Sequence, residues 1–194
     1  DPSLPFFLWC SFSKPHPPLD PPEPYYSMYL DADLPEPVIG DWARPGNAPA
    51  AFERHRQSFS FDLLAPEVVR AARAAYLGLI TQIDYNVGRL FAALQDLDMF
   101  DETLILYTSD HGEYLGDHRC GAKSFFHEPS AHVPFVLRLP KSWPDRRHGT
   151  SCDSLVTHAD ILPTLVTAAG GSPGAGPDGL DLAALVRGQA EPRQ

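Results

Sequence analysis

From Pro66 to Leu97 the apolar residues recur every three or four positions: Val69, Ala72, Tyr76, Leu79, Ile80, Ile83, Val87, Leu90 and Leu94. That spacing lines them up on one side of a helix, so one long helix is predicted over about residues 66–97. Pro66 and Glu67 suit its first turn, where proline's missing N–H has no partner to lose. Asp84 falls inside this seam beside Ile83. A carboxylate buried there needs a hydrogen bond or a counter-charge, and the expected role is to tie down a neighbouring loop or helix end.

Around the helix the pattern predicts strands. Residues 5–12, centred on Phe6-Phe7-Leu8-Trp9-Cys10, read as an apolar core strand. A core strand so early, after an opening with neither a signal peptide nor a starting Met, suggests a stretch that lacks its upstream part. Cys10 is then expected to be a small buried hydrophobe. Pro15, Pro17, Pro18, Pro21, Pro22 and Pro24 forbid regular structure over the next dozen residues. Residues 31–60 read as an irregular excursion. Further strands are predicted at 103–108 and 132–139, separated by a charged loop. Pro140 to Ser151 reads as a surface loop, Asp160 as the cap of a short helix, 170–179 as a Gly/Pro turn, and 180–186 as a last apolar turn or short helix. Strand, long helix and strand make a βαβ rhythm, which predicts an α/β fold. Ligands in such folds gather beyond the carboxyl ends of the strands, so His16 and Asp110 can share one rim.

Composition narrows the partners. The chain has 194 residues, 43% of them hydrophobic, enough for one core and a small second unit. Its 25 acidic and 15 basic residues give a net charge of −10, which argues against a nucleic-acid partner. No run of about 18 apolar residues exists, so no membrane span is expected. Cys10, Cys120 and Cys152 are odd in number and widely spaced, and they form no disulfide framework or Cys-x-x-Cys metal site.

The densest chemistry follows the strand Thr103–Thr108: Ser109-Asp110-His111-Gly112-Glu113-Tyr114-Leu115-Gly116-Asp117-His118, then Lys123. At a strand end Gly112 lets the chain turn, so Asp110 and His111 can converge on one ion. A carboxylate favours a hard cation, and an imidazole is also acceptable to manganese or zinc. The bland alternative makes Asp110 a cap and His111 a packed or surface histidine. Lys123 can neutralise an oxyanion, or be a solvated loop lysine. His16, between Pro15 and Pro17, is held at small entropic cost and suits a general acid or oxyanion donor; otherwise it packs on Tyr25 or Tyr26. Lys14 can add charge to the same site. His111, His118, His127 and His132 lie close in sequence, but their spacing matches no compact zinc-hydrolase motif. Glu113, Asp117 and Glu128 are expected to bond within the loop or shape the pocket mouth. There is no Gly-x-Ser-x-Gly elbow and no Gly-rich phosphate loop.

Four stretches, in order, resemble the C-terminal half of a sulfatase (arylsulfatase or iduronate-sulfatase-like) of the alkaline phosphatase superfamily. They are Ser13-Lys14-Pro15-His16-Pro17-Pro18; Tyr76 through Asp84 to Gly88; Thr103 through Lys123; and Val156 through Asp160-Ile161-x-Pro163-Thr164, with Asp178-Gly179. The resemblance implies an alkaline-phosphatase-like mixed sheet flanked by helices. Residues 1–140 are the C-terminal part of the catalytic α/β domain. Residues 141–194 are a connecting segment and the beginning of a smaller C-terminal subdomain. It implies that Asp110 and His111 are ligands of one divalent cation, calcium in the first instance and manganese as the alternative. Lys123 is implied to bind the sulfate and the leaving-group oxygen. His16 is implied to bind sulfate or help protonate the leaving group, with Lys14 as a second substrate-side cation. Asp84 and Asp160 are implied to be scaffold.

The nucleophile implied by the resemblance is a formylglycine made from Cys or Ser in a Cys/Ser-x-Pro/Ala-x-Arg motif, upstream of this stretch. That motif and the one or two further metal-binding aspartates that go with it are expected upstream rather than here, and none of the three cysteines opens the motif, so the stretch by itself is expected to be inactive. The implied reaction is hydrolysis of a sulfuric ester, first choice a sulfated carbohydrate. The alternatives are a phosphonate monoester or phosphodiester hydrolase of the same superfamily, or a non-catalytic module. A periplasmic or secreted location is implied as well. One departure is Ala131-His132-Val133-Pro134, where many family members carry Arg before Val-Pro.

Overall fold

Proline and periodicity divide the chain much as expected. The computed structural model describes residues 4–174 and 178–193. Its helices are α1 (Ala50–Phe59), α2 (Pro66–Asp96), α3 (Glu128–Ala131), α4 (Ile161–Ala168) and α5 (Leu182–Val186), and its strands are β1 (Ile105–Thr108) and β2 (Phe135–Arg138). The Gly/Pro turn expected over 170–179 includes residues 175–177, which lie outside the described residues.

β1 and β2 pair antiparallel, in the register Ile105↔Arg138, Leu106↔Leu137, Tyr107↔Val136 and Thr108↔Phe135. The fold is α/β, combining helices with this small antiparallel sheet. The strand expected at 5–12 does not form among the described residues. A strand needs a partner edge for its N–H and C=O groups, and this stretch has none there. Its apolar side chains are consequently exposed, Phe7 and Trp9 each at 72%, and Cys10 is exposed rather than buried.

The chain forms two compact units. The first comprises residues 1–93 and 111–133 and the second residues 94–110 and 134–194. In the first, Ala43, Phe52, Tyr114 and Cys120 make the core, with Trp42 and Ala48 against them. Arg56 is buried beside them; its guanidinium donates to the Ala43 carbonyl at 2.7 Å and pairs with Glu53. The buried face of α2 is Ala74, Ala75, Gly78 and Leu79. At Gly78 a glycine is needed because the proline loop lies against the helix: a Cβ there would sit 2.5 Å from the Tyr25 carbonyl oxygen. Asp84, expected in the seam, is exposed. α2 also holds the excursion, since Arg70 donates to the carbonyls of Leu30 and Ala32 and Thr81 bonds the Tyr29 hydroxyl at 2.7 Å.

The second unit packs α4 and α5 around Leu182, Ala183 and Leu185, with Asp160 and Thr164 buried among them. Asp160 closes a capping box with Thr157. Its carboxylate also accepts the Leu180 N–H at 2.7 Å and both arms of Arg193 at 2.6 and 2.5 Å. Burial opposes its ionisation, but Arg193 and the Leu180 and Thr157 N–H groups outweigh that and hold the carboxyl below the usual aspartate value.

Candidate active site

The strand ladder ends at Thr108, opposite Phe135. Ser109 follows, its hydroxyl 3.4 Å from Asp110 Oδ1, and Asp110 is exposed at the end of the second unit. His111 opens the loop of the first unit. Its Nδ1 lies 2.8 Å from the Gly112 carbonyl. A carbonyl only accepts, so Nδ1 carries the proton in this contact, the kind of backbone contact that also orients metal-binding histidines. Gly112 is required by close approach: its N–H donates to the Ser130 carbonyl at 2.8 Å, and a Cβ there would fall 2.1 Å from the Pro129 carbonyl oxygen.

The chain from Glu113 to Lys123 closes on itself. Tyr114 N–H donates to Ala122 and Gly116 N–H to Cys120, at 2.9 and 2.8 Å. Burial raises the pKa of Glu113 above the usual glutamate value, against the pull of the Leu115 and Ala122 N–H groups and of the charges on Lys123 and His111. Glu113, Lys123 and His111 therefore share one electrostatic neighbourhood in the first unit. Beneath it Tyr114 is fully buried, and burial pushes its phenol up to about 12. Its hydroxyl donates to the Ser124 carbonyl at 2.9 Å, which leaves the oxygen to accept from His127 Nδ1 at 2.6 Å. His127 stacks on Trp42 with ring centroids 4.6 Å apart. Burial, then the nearby His118, lowers its pKa. Trp42, Phe52, Phe125 and His127 wall an open hollow of ≈ 380 Å³.

In the proline loop the two expected substrate-side groups are held locally. Lys14 Nζ donates to the Pro18 carbonyl at 2.6 Å and pairs with Asp20, whose carboxyl it keeps below the usual aspartate value. His16 is exposed, with Nδ1 2.8 Å from the Pro17 carbonyl, so Nε2 is its outward nitrogen. Among the described residues it makes no ring contact with Tyr25 or Tyr26, and neither it nor Lys14 bonds to Lys123. Asp117 takes the Val38 N–H at 3.0 Å and faces Arg73, while Glu128 pairs with His132 at 2.7 Å. These acids tie the loop to its surroundings.

Asp110 offers carboxylate oxygens and His111 an oriented imidazole nitrogen, a donor set that fits a divalent cation. Among the described residues no group of three or more His, Cys, Asp or Glu side chains is placed to hold a metal.

A family model described as Sulfatase matches residues 1–172. The chain belongs to the sulfatase family, within the alkaline phosphatase superfamily. It is similar to the arylsulfatase of Clostridium perfringens, at 39% identity over 96% of this chain and 38% of that protein. It is also similar to human iduronate 2-sulfatase, at 31% identity over 70% of this chain and 27% of that protein. Among solved structures, the phosphonate monoester hydrolase SpPMH from Silicibacter pomeroyi superimposes with a TM-score of 0.78 at 32% identity, over 91% of this chain and 36% of the other. The sulfatase chain thus spans little more than a third of the length of the first of these relatives.

One string in this sulfatase chain resembles the nucleophile motif. Ser142-Trp143-Pro144-Asp145-Arg146 has the Ser-x-Pro-x-Arg spacing but follows β2, whereas the motif is expected upstream of Asp110 and Lys123. Ser142 is exposed and donates to Glu102 at 2.5 Å. It is a loop contact in this structure. Two side chains escaped sequence reasoning. His127 looks like a spare histidine until Tyr114 is seen to be buried against it. His158 sits in a short motif with no chemical signature of its own, yet its Nε2 reaches the Ser109 carbonyl at 2.8 Å.

Proposed function

We propose that this chain carries the metal-binding and cationic part of the active site of a sulfuric ester hydrolase. The observation that carries the reading is the carbonyl-oriented imidazole of His111 beside Asp110, followed by Lys123 in the same electrostatic neighbourhood as Glu113. In this reading Asp110 and His111 hold one divalent cation, calcium first and manganese second. That ion, when bound, supplies electrostatic stabilisation of a transferring anionic group. Lys123 sets an ammonium against the sulfate oxygens and the leaving-group oxygen. His16 Nε2 binds the sulfate or passes a proton to the departing alkoxide. Lys14 is a substrate-side cation only if substrate displaces Asp20 from it. The nucleophile, a formylglycine, lies upstream of these residues. Residues 1–140 belong to the catalytic domain, and 141–194 connect it to a smaller subdomain.

The substrate class proposed first is a sulfated carbohydrate, in keeping with the likeness to iduronate 2-sulfatase. A periplasmic or secreted location goes with it. No helix among the described residues is long and apolar enough to cross a membrane. A second reading, phosphonate monoester or phosphodiester hydrolysis, is favoured by the TM-score of 0.78 to SpPMH. Turnover of matched sulfate, phosphodiester and phosphonate esters by the full-length protein separates the two, and faster phosphodiester or phosphonate turnover reverses the order. Asp110→Ala is expected to lower metal content and turnover together. Lys123→Ala is expected to lower kcat by about 100-fold or more, as for other lost oxyanion donors, with metal content unchanged. Unchanged metal content in Asp110→Ala removes it from the ligand set, and normal kinetics in Lys123→Ala assign it to the surface.

A further inference from the structure

The last cross-strand pair of β1 is Thr108 with Phe135. The Ser109 peptide lies beyond the ladder, so the sheet does not fix the direction of the chain that delivers Asp110. His158 does. Its Nε2 is 2.8 Å from the Ser109 carbonyl oxygen, and since a carbonyl only accepts, Nε2 carries the proton. The side chain is exposed, so burial does not hold it there. Its mounting does. The Thr157 hydroxyl accepts the Ala159 N–H at 3.2 Å, and Asp160 Oδ2 accepts the Thr157 N–H at 2.8 Å. Asp160 is fully buried and gripped by Arg193. The pair of buried Asp160 with Arg193 therefore holds the turn, the turn carries the imidazole, and the imidazole meets the peptide before Asp110. The whole relay lies within one compact unit.

We propose that His158 is a positioning residue for Asp110, acting through the Ser109 carbonyl. The inference rests on the reading of Asp110 as a metal ligand. It adds a supporting group from the segment leading into α4, far from the ligands in sequence. Loss of such an outer hydrogen bond characteristically weakens metal affinity by about 10–100-fold.

The test is calorimetric titration of the full-length, metal-stripped protein with Mn²⁺ and with Ca²⁺, for wild type, His158→Phe, His158→Gln and Asp110→Ala. His158→Phe keeps the ring and removes the donor, so its Kd is expected to rise by about tenfold or more. Glutamine carries an N–H at nearly the same reach as Nε2, so His158→Gln is expected to bind within about threefold of wild type. Metal-free melting temperatures of the two variants are expected to match, which a merely structural role would not combine with a split in affinity. Wild-type affinity in His158→Phe, with affinity lost in Asp110→Ala, overturns the proposal and leaves the reading of Asp110 intact. Wild-type affinity in Asp110→Ala overturns that reading and the proposal with it. Should His158→Phe fail to fold, His158→Asn replaces it. Its amide falls short of the carbonyl, so weaker binding than His158→Gln supports the proposal and equal binding overturns it.

Discussion

Asp160 shows how far one carboxylate can organise its surroundings. A side chain with no exposure accepts from Thr157, Leu180 and both arms of Arg193. Arg193→Ala leaves the buried Asp160 carboxylate without its counter-charge, and Asp160→Ala removes the acceptor that ties Thr157, Leu180 and Arg193 together. Each is expected to lower stability measurably, and the double variant by less than the sum because the two share one interaction. Denaturant unfolding of the four proteins measures it, and strict additivity rejects the coupling. The folded carboxyl titrates below its ordinary value. Its contribution is therefore present above about pH 4 and lost as pH falls through the folded pKa. His127 also titrates low, through burial and then the charge of His118. For a base the unfolded chain then binds the proton more readily, so stability drops as pH falls below about 6.5. The groups facing it are Trp42, Phe52, Tyr114, His118 and Phe125. His127→Phe is expected to flatten the melting temperature between pH 7.5 and 5 relative to wild type. An unchanged slope assigns the acid sensitivity elsewhere.

At the level of elements, α2 was legible almost to its ends, because helical periodicity survives over 31 residues. Its buried face was less so. The apolar spacing points to the large side chains, yet Ile80 is 41% exposed while Ala74, Ala75 and Gly78 are buried. Leu79 of the seam is buried as expected, and at Gly78 the reason is the proline loop, whose Tyr25 carbonyl lies where a Cβ would go. Gly78→Ala tests this directly. Alanine gains about 1 kcal/mol of helix propensity over glycine. Forcing a methyl group against the Tyr25 carbonyl costs about 1–3 kcal/mol. The net is expected to be destabilising, with a lower melting temperature and reduced kcat/KM, since the displaced loop also carries His16. A more stable variant shows that the loop yields. The segment 5–12 was misread for a related reason: apolar alternation reports a preference for pairing and cannot supply the partner.

Across the whole molecule, the residues of the proposed site and those around it were unequally readable. Asp110, His111 and Lys123 stand out because strand, charge and glycine coincide within a few residues. Glu113, His127 and His158 act through backbone carbonyls, backbone N–H groups or a buried phenol, and those partners leave no mark in a string of residues. The apolar surface has a similar hidden partner. Phe6, Phe7, Leu8 and Trp9 are all at least half exposed, as is Val136 on the sheet. Burying a large apolar side chain stabilises by about 1.5–3 kcal/mol, so several of them in a row form a patch larger than a soluble monomer ordinarily leaves open. The 194-residue chain expressed by itself is therefore expected to self-associate through residues 4–12 and to bind a hydrophobic dye. Phe7→Glu with Trp9→Glu places two charges where association must bury them, at a cost that exceeds the apolar gain. Light scattering after size exclusion is expected to give mixed or high mass for the parent chain and monomer mass for the double variant. Monomer mass for both shows that the exposed segment is not a sticky edge, and equal association of both moves the contact to another apolar surface.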